Sequence, residues 1–329
     1  MDPERVNYHY CDDLPTHPIP AETKVLVTGA NGYVAHRLIP ELVYRGYRVR
    51  SMFRNRGCPA ILTHSRIESV YADSLKKEEL RLVMQGVHTA YYLIHSMRNK
   101  KKEFHEKDRL AAKNFLKIAE ECGVQKIVYL GGLGEETENL SEHLRSRQEV
   151  GRILSSGSVP VIKLRAAIII GTGSASYELL KSLVMHNRWI PFLPEFNSKS
   201  QPVAIRDVIK YLVGILETPD LSTRIYHIGG KDVLTYKDLI SHFARVHNRR
   251  IVFFDVSWLP VTVEILCRIY AYWLHFFISV PVNITSLLLN SMKSDVVCSD
   301  HEIKKLLPFE PLDFKTAVTW AKEKENQSI

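Results

Sequence analysis

The chain has 329 residues, room for one large α/β domain with a smaller cap or for two modest domains. Apolar residues make up 45% and charged residues 24%, which excludes a wholly disordered chain. The net charge of +8 serves solubility or anionic partners, but the longest basic run, Lys100-Lys101-Lys102, meets Glu103 at once without interleaved aromatics, so no nucleic-acid partner is expected.

Residues 1–22 carry charges and prolines but no apolar run, and read as an N-terminal extension draped over the first domain. From Lys24 short apolar runs alternate with amphipathic stretches of helical length. Lys24–Thr28 reads as a strand ending in a glycine loop, Tyr33–Tyr44 as a helix, and Arg48–Phe53 as the second strand. Ile67–Tyr71 is a third strand-like run, Ser74–Gln85 a helix and His88–Ile94 a buried strand. Phe104–Cys122 is a helix closed by Gly123, where a C-terminal glycine cap belongs. Next come strand Lys126–Leu130, helix Ser141–Ser155 and the nearly unbroken apolar strand Val161–Ile170. Continuous apolar strands between helices predict a parallel sheet covered on both faces.

Beyond Gly171 the expected elements are a helix at Ser174–Asn187, a proline-punctuated loop at Pro191–Pro202, a helix at Asp207–Glu217 and a strand at Arg224–Ile228 returning to the sheet. Gly229-Gly230 closes that strand, and a mostly helical part completes the chain. The expected fold class is therefore α/β, a doubly wound parallel Rossmann sheet of about seven strands with a smaller, mainly helical C-terminal lobe. The domains divide as 1–22 extension, 23–230 Rossmann domain with 174–200 contributing to the substrate lobe, and 231–329 substrate or interaction lobe.

The strongest chemical signal is Thr28-Gly29-Ala30-Asn31-Gly32-Tyr33-Val34-Ala35, between a strand and a helix. Gly29 permits a tight turn, Gly32 lets backbone approach a pyrophosphate, and Ala35 is small enough for helix to pack on strand. Thr28, Gly29, Asn31, Gly32, Tyr33 and Val34 are the candidate contacts, with the phosphates at the helix N-terminus. The second strand ends without the acidic residue that usually holds a ribose 2′-OH. Arg54 and Arg56 stand there instead, suited to a 2′-phosphate or else simply exposed loop arginines. NADP is therefore the expected cofactor, with NAD second. Asp73 suits either the adenine edge or a helix N-cap.

The string Val25 to Ala35, the stretch Val49–Arg54, Asp73 and Tyr91-Tyr92-Leu93-Ile94-His95-Ser96-Met97 resemble the atypical short-chain dehydrogenase/reductases. The nearest resemblance is to the NAD(P)H-binding proteins related to an accessory subunit of respiratory complex I. Tyr129 to Gly134, His143 to Arg147, Arg165-Ala166-Ala167, Gly171 to Ser174 and Ile228-Gly229-Gly230 extend it over roughly Lys24 to Val297. The resemblance implies an extended Rossmann fold with a C-terminal substrate lobe.

Catalytic members of that superfamily carry Tyr-x-x-x-Lys on the helix after the fifth strand, the Tyr as acid/base and the Lys lowering its pKa and holding the ribose. Here His143 falls at the tyrosine and Arg147 at the lysine, and the usual upstream serine falls in Gly131-Gly132. His143 is either a substitute proton donor or a surface histidine. His95 and Ser96 end the fourth strand, where they face the nicotinamide side or form a satisfied strand end, and His95 is a further catalytic candidate. Gly132, Thr172, Gly173 and Ser174 are the candidate substrate contacts, although Gly171 and Gly173 also suit a plain turn.

Residues 256–289 are the most apolar stretch, with Trp258, Tyr270, Tyr272, Trp273, Phe276 and Phe277. Glu264, Arg268 and His275 share one helical face there, too costly for a bilayer span. An amphipathic helix on a membrane surface, a pocket for a greasy substrate, and internal or homo-oligomer packing all fit. The five cysteines form no C-x-x-C pair and no metal-ligand spacing, so no metal is expected and free thiols point to a cytoplasmic protein, with membrane association as the variant of that reading. The reading is an NAD(P)H-binding oxidoreductase for an apolar small molecule such as a quinone or lipid. Its alternative is a non-catalytic redox sensor or assembly factor for a membrane complex.

Overall fold

The computed structural model describes residues 9–20, 22–55, 63–94, 101–134, 142–219, 222–256 and 294–327, with backbone alone at 101–104, 142–143 and 326–327. The first strand, β1 (Lys24–Thr28), explains the architecture by its pleat. Val25 and Val27 point to one face of the sheet and Leu26 to the other, and all three are fully buried. A strand buried on both faces has no polar side to alternate with, hence its continuous apolar run.

Seven parallel strands form the central sheet, which runs from edge to edge through residues 224–228, 161–166, 126–132, 89–92, 24–28, 48–53 and 67–71. They are β1, β2 (Arg48–Phe53), β3 (Ile67–Tyr71), β4 (Thr89–Tyr92), β5 (Lys126–Gly132), β6 (Val161–Ala166) and β11 (Arg224–Ile228). One face is covered by α1 (Ala35–Tyr44) and α6 (Ile205–Glu217), through Leu38, Ile39, Leu42, Val208 and Leu212. The other is covered by α2 (Lys77–Met84), α3 (Lys101–Glu121) and α4 (Glu142–Leu154), through Leu80, Met84, Phe115, Ile118 and Leu154. Each such side chain contributes about 1.5–3 kcal/mol by leaving water.

Buried charge is handled locally. Lys126, 1% exposed, reaches from β5 to donate to the carbonyls of Ile215 and Thr218 at 3.0 and 2.7 Å, capping the C-terminus of α6. The segment before β1 lies against α1 and α6: Cys11 N–H donates to Glu41 at 3.0 Å, and Asp13 pairs with Lys210 at 2.5 Å.

The expected strand Val161–Ile170 is broken. β6 ends at Ala166, and β7 (Ile169–Ile170) leaves the sheet to pair with β10 (Val203–Ala204). A continuous apolar run cannot signal a change of partner, because both segments are buried. The expected loop Pro191–Pro202 holds the end of β8 (Trp189–Phe192), a 3-10 turn at Pro194–Asn197 and β9 (Lys199–Ser200). Helix α6 begins at Ile205, two residues before the expected start.

A second core gathers α5 (Ala175–His186), α7 (Tyr236–Val246) and α9 (Phe314–Gln327) around Tyr177, Leu180, Phe243 and Val318. Short strand pairs accompany these helices: β8 with β13 (Val252–Asp255), and β9 with β12 (Leu234–Thr235). The short helix α8 (Glu302–Leu306) packs on the first core through Ile303.

Candidate dinucleotide site

The glycine loop sits at the carboxyl edge of the sheet. Gly29 has φ +64°, and a Cβ there would lie 2.9 Å from the carbonyl oxygen of Leu93 just after β4. Both facts demand glycine, one by torsion and one by space. A Cβ on Gly32 would meet the Gly29 carbonyl at 2.9 Å, and the two residues close the turn with an N–H···O bond of 2.7 Å. Asn31 and Gly32 are exposed, Val34 is half-buried at the N-cap of α1, and no side chain caps that helix. The loop is thus a cradle that a side chain would fill, ending at the N-terminus of α1, whose dipole favours an anion. It fits a dinucleotide pyrophosphate.

Thr28 has a structural task. Its hydroxyl donates to the Tyr91 carbonyl at 2.9 Å and accepts from Leu93 N–H at 3.0 Å, tying β1 to the end of β4. Tyr33 lies half-buried, its hydroxyl enclosed without a hydrogen-bond partner against Gly171, where any Cβ would collide with it. Burial raises the Tyr33 pKa, so the phenol stays protonated.

Arg37, one helical turn beyond Tyr33, was not among the expected site residues. Its guanidinium stacks 3.9 Å from the Tyr33 ring centroid and donates to the carbonyls of Tyr33 at 3.1 Å and Thr172 at 2.7 Å. The i,i+4 spacing from Tyr33 was the available signal; the Thr172 partner was not visible in sequence.

The rim beside the loop comes from β2 and β3. Ala30 N–H donates to Met52 O at 3.1 Å and Ala72 N–H to Phe53 O at 2.9 Å, setting Arg54 and Asp73 side by side along the edge. Arg54 is exposed and engages no partner among the described residues. Asp73 accepts from Leu75 N–H at 3.0 Å and so shapes a turn ahead of α2, whose N-cap is Lys76. The expected helix start at Ser74 moves to Lys77 for this reason. Arg56, His95 and Ser96 lie outside the described residues, as do 257–289 of the apolar stretch, while Val256 is buried in the second core.

On the far side, the α4 backbone includes position 143, but the His143 side chain lies outside the described part. Arg147 turns back to donate to the Leu130 carbonyl at the carboxyl end of β5, with its Nε buried and unpaired. A Cβ on Gly132 would come within 2.5 Å of the Leu144 side chain, so glycine there admits α4 to the strand. Tyr129 donates to the Arg147 carbonyl at 2.8 Å and is raised in pKa by burial, so it holds α4 rather than replacing the missing acid.

The remaining expected substrate residues are engaged in holding the fold. Thr172 donates through its hydroxyl to the Ala321 carbonyl of α9 at 2.5 Å. Gly173 has φ +81° and its N–H donates to Glu178 at 3.1 Å. Ser174 caps α5, accepting from Tyr177 N–H at 3.2 Å and donating to Ile169 O at 2.9 Å.

Residues 29–167 match the protein-family model described as NAD(P)H-binding. The sequence is 28% identical over 114 residues to sterol demethylase protein B of Methylococcus capsulatus, covering 33% of this chain and 34% of that one. It is 27% identical over 120 residues to NADH dehydrogenase (ubiquinone) 1 alpha subcomplex subunit 9, mitochondrial, of Dictyostelium discoideum, covering 36% and 33%. The chain thus spans about a third of the length of the curated relatives it matches. Triphenylmethane reductase of Citrobacter sp., solved in complex with NADP(H), shares the fold with a TM-score of 0.72 at 17% identity, covering 90% of this chain and 99% of that one. Residues 29–167 thus carry an NAD(P)H-binding domain, on a seven-stranded Rossmann-like α/β sheet whose fold is shared with that reductase.

Proposed function

We propose that the chain is an NADP(H)-dependent oxidoreductase acting on an apolar, lipid-like small molecule such as a quinone. The observation that carries the cofactor choice is the end of β2, where Arg54 stands exposed beside the glycine loop and no carboxylate comes after the strand. A guanidinium there welcomes a 2′-phosphate, whereas NAD sites place an acid to receive the 2′-OH. The bound cofactor supplies hydride transfer. This chain's own part is to hold the pyrophosphate on the Gly29–Val34 backbone and the nicotinamide ribose with the remaining donors of Arg147. His143 or His95 moves the proton. The apolar substrate class is supported by residues 256–289 and by the relative named as a sterol demethylase protein.

A second reading, a dinucleotide sensor or assembly factor for a membrane complex, is favoured by the lost Tyr-x-x-x-Lys pair and the structural tasks of Thr172 and Ser174. Calorimetric titration of wild type and Arg54→Ala with NADPH and NADH tests the cofactor. The variant should lose about 1–3 kcal/mol toward NADPH, the worth of a charge-assisted bond, and almost nothing toward NADH. Equal losses for both cofactors would sink the assignment. NADPH oxidation with a panel of quinones and enones then separates the enzyme from the sensor, which binds without turnover.

A further inference from the structure

The lobe carries an unusual outer face. Strands β8 and β13 run parallel, with Val252 opposite Trp189 and Phe254 opposite Pro191. Pleating sends Ile190 and Phe253 inward: Ile190 is fully buried, and Phe253 packs edge-on against Phe192 and Phe196 at ring distances of 6.3 and 6.4 Å. The opposite face therefore points outward. It exposes Trp189 by 60%, Val252 by 40% and Phe254 by 41%.

Basic residues enter both strands at the same end. Val252 N–H donates to Arg188 O at 2.8 Å, which brings Arg188 alongside Arg249 and Arg250. All three arginines are exposed, and Arg249 is steadied by a 2.6 Å bond to the Met185 carbonyl. Asp255 is the acidic residue at the far end of the strip. An exposed cluster of large apolar side chains marks a contact site, whereas singly scattered ones do not. Tryptophan beside arginine matches a bilayer interface, where the ring sits at headgroup depth and the guanidinium meets phosphate.

We propose that this face, Trp189, Val252 and Phe254 with the exposed arginines Arg188, Arg249 and Arg250 at its rim, is a docking surface for an anionic phospholipid membrane. The commitment to lipid rests on charge complementarity and on continuity with the sequence beyond β13. From Val256 the chain runs into its most apolar stretch, with Trp258 two residues on. Two short strands open at their edges do not span a bilayer, so the face acts as a peripheral contact; among the described residues no helix is long and apolar enough to cross a membrane.

Vesicle flotation tests this with phosphatidylcholine alone and with added phosphatidylserine, at low and rising NaCl. Wild type should float with the anionic vesicles at low salt, little with neutral ones, and less as salt screens the arginines. Charge reversal at Arg188→Glu with Arg250→Glu should cut the bound fraction about tenfold or more, since each basic residue near such a surface contributes measurably. Trp189→Ser should weaken binding at every salt concentration. NADPH affinity, read in the same variants, should stay at the wild-type value, which reports folding and keeps this proposal separable from the cofactor assignment. Failure of wild type to float at low salt overturns it, as does flotation of both variants at the wild-type level. Equal flotation with neutral and anionic vesicles also overturns it.

Discussion

Arg37→Ala is the most informative single change near the cofactor loop. The side chain makes two bonds to carbonyl oxygens, Thr172 at 2.7 Å and Tyr33 at 3.1 Å, and one ring stack at 3.9 Å. Hydrogen bonds to a charged group contribute about 1.5–3 kcal/mol each, and a part-exposed cation–π contact about 0.5–1 kcal/mol. Arg37 is half-buried and the carbonyls it leaves would be rehydrated, so the net loss should be about 2–3 kcal/mol rather than the full sum. At about 1.5 °C per kcal/mol for a chain of this size, thermal unfolding should fall by about 3–5 °C. The loss should also be directional. Thr172 passes the connection on to Ala321, so amide exchange in α9 should quicken along with exchange in the glycine loop. NADPH affinity should fall about tenfold, because part of the binding energy must then order the loop. Arg37→Lys keeps the charge but not the fork, and should recover less than half of the stability. Tyr33→Phe serves as the contrast: its hydroxyl has no partner, so removing it should leave stability unchanged or slightly higher. An Arg37→Ala protein that melts within about a degree of wild type and binds NADPH equally would refute the reasoning.

Two further predictions address catalysis and pH. His143→Ala should depress NADPH-dependent turnover by about 10²–10⁴-fold with little change in NADPH affinity, whereas Arg147→Ala should mainly weaken NADPH binding; the reverse pattern in steady-state kinetics and titration would reject both roles. Burial lowers the pKa of His247, stacked on Phe243 at 4.5 Å, to about 4, below its ordinary value of 6.5. The unfolded chain then binds the proton first, so stability should decline as pH falls from about 6.5 toward 4, by about 1–2 kcal/mol for a group that is only half-buried. His247→Phe should flatten that decline in denaturant titrations, and an unchanged slope would mean another group carries it.

Periodicity and turn chemistry carried the Rossmann half in the sequence. The glycine loop, the buried strands and the helix ending at Gly123 were all legible, because each depends on residues within a turn or two of one another. The absent carboxylate after β2 was legible for the same reason, and with it the cofactor reading. The apolar stretch at 256–289 left a membrane surface, a substrate pocket and internal packing open on composition alone; the exposed face on β8 and β13 was not legible, because its alternation is too short to stand out.

Partnership was decided by tertiary structure. Thr172, Gly173 and Ser174 stand in the sequence as donors to a ligand, with a plain turn as the alternative for Gly173; their contacts to Ala321, Glu178 and Tyr177 came only with the packing. Arg37 looked like any helix arginine until Thr172 came within reach 135 positions away. The strand break after Ala166 likewise depended on β10 arriving to take Ile169 and Ile170. A sequence by itself determines local periods, turns and charges, since these arise from neighbours along the backbone. Which donor meets which carbonyl depends on how separately formed elements pack, and that is set only when the core excludes water and buried polar groups must look for partners inside it.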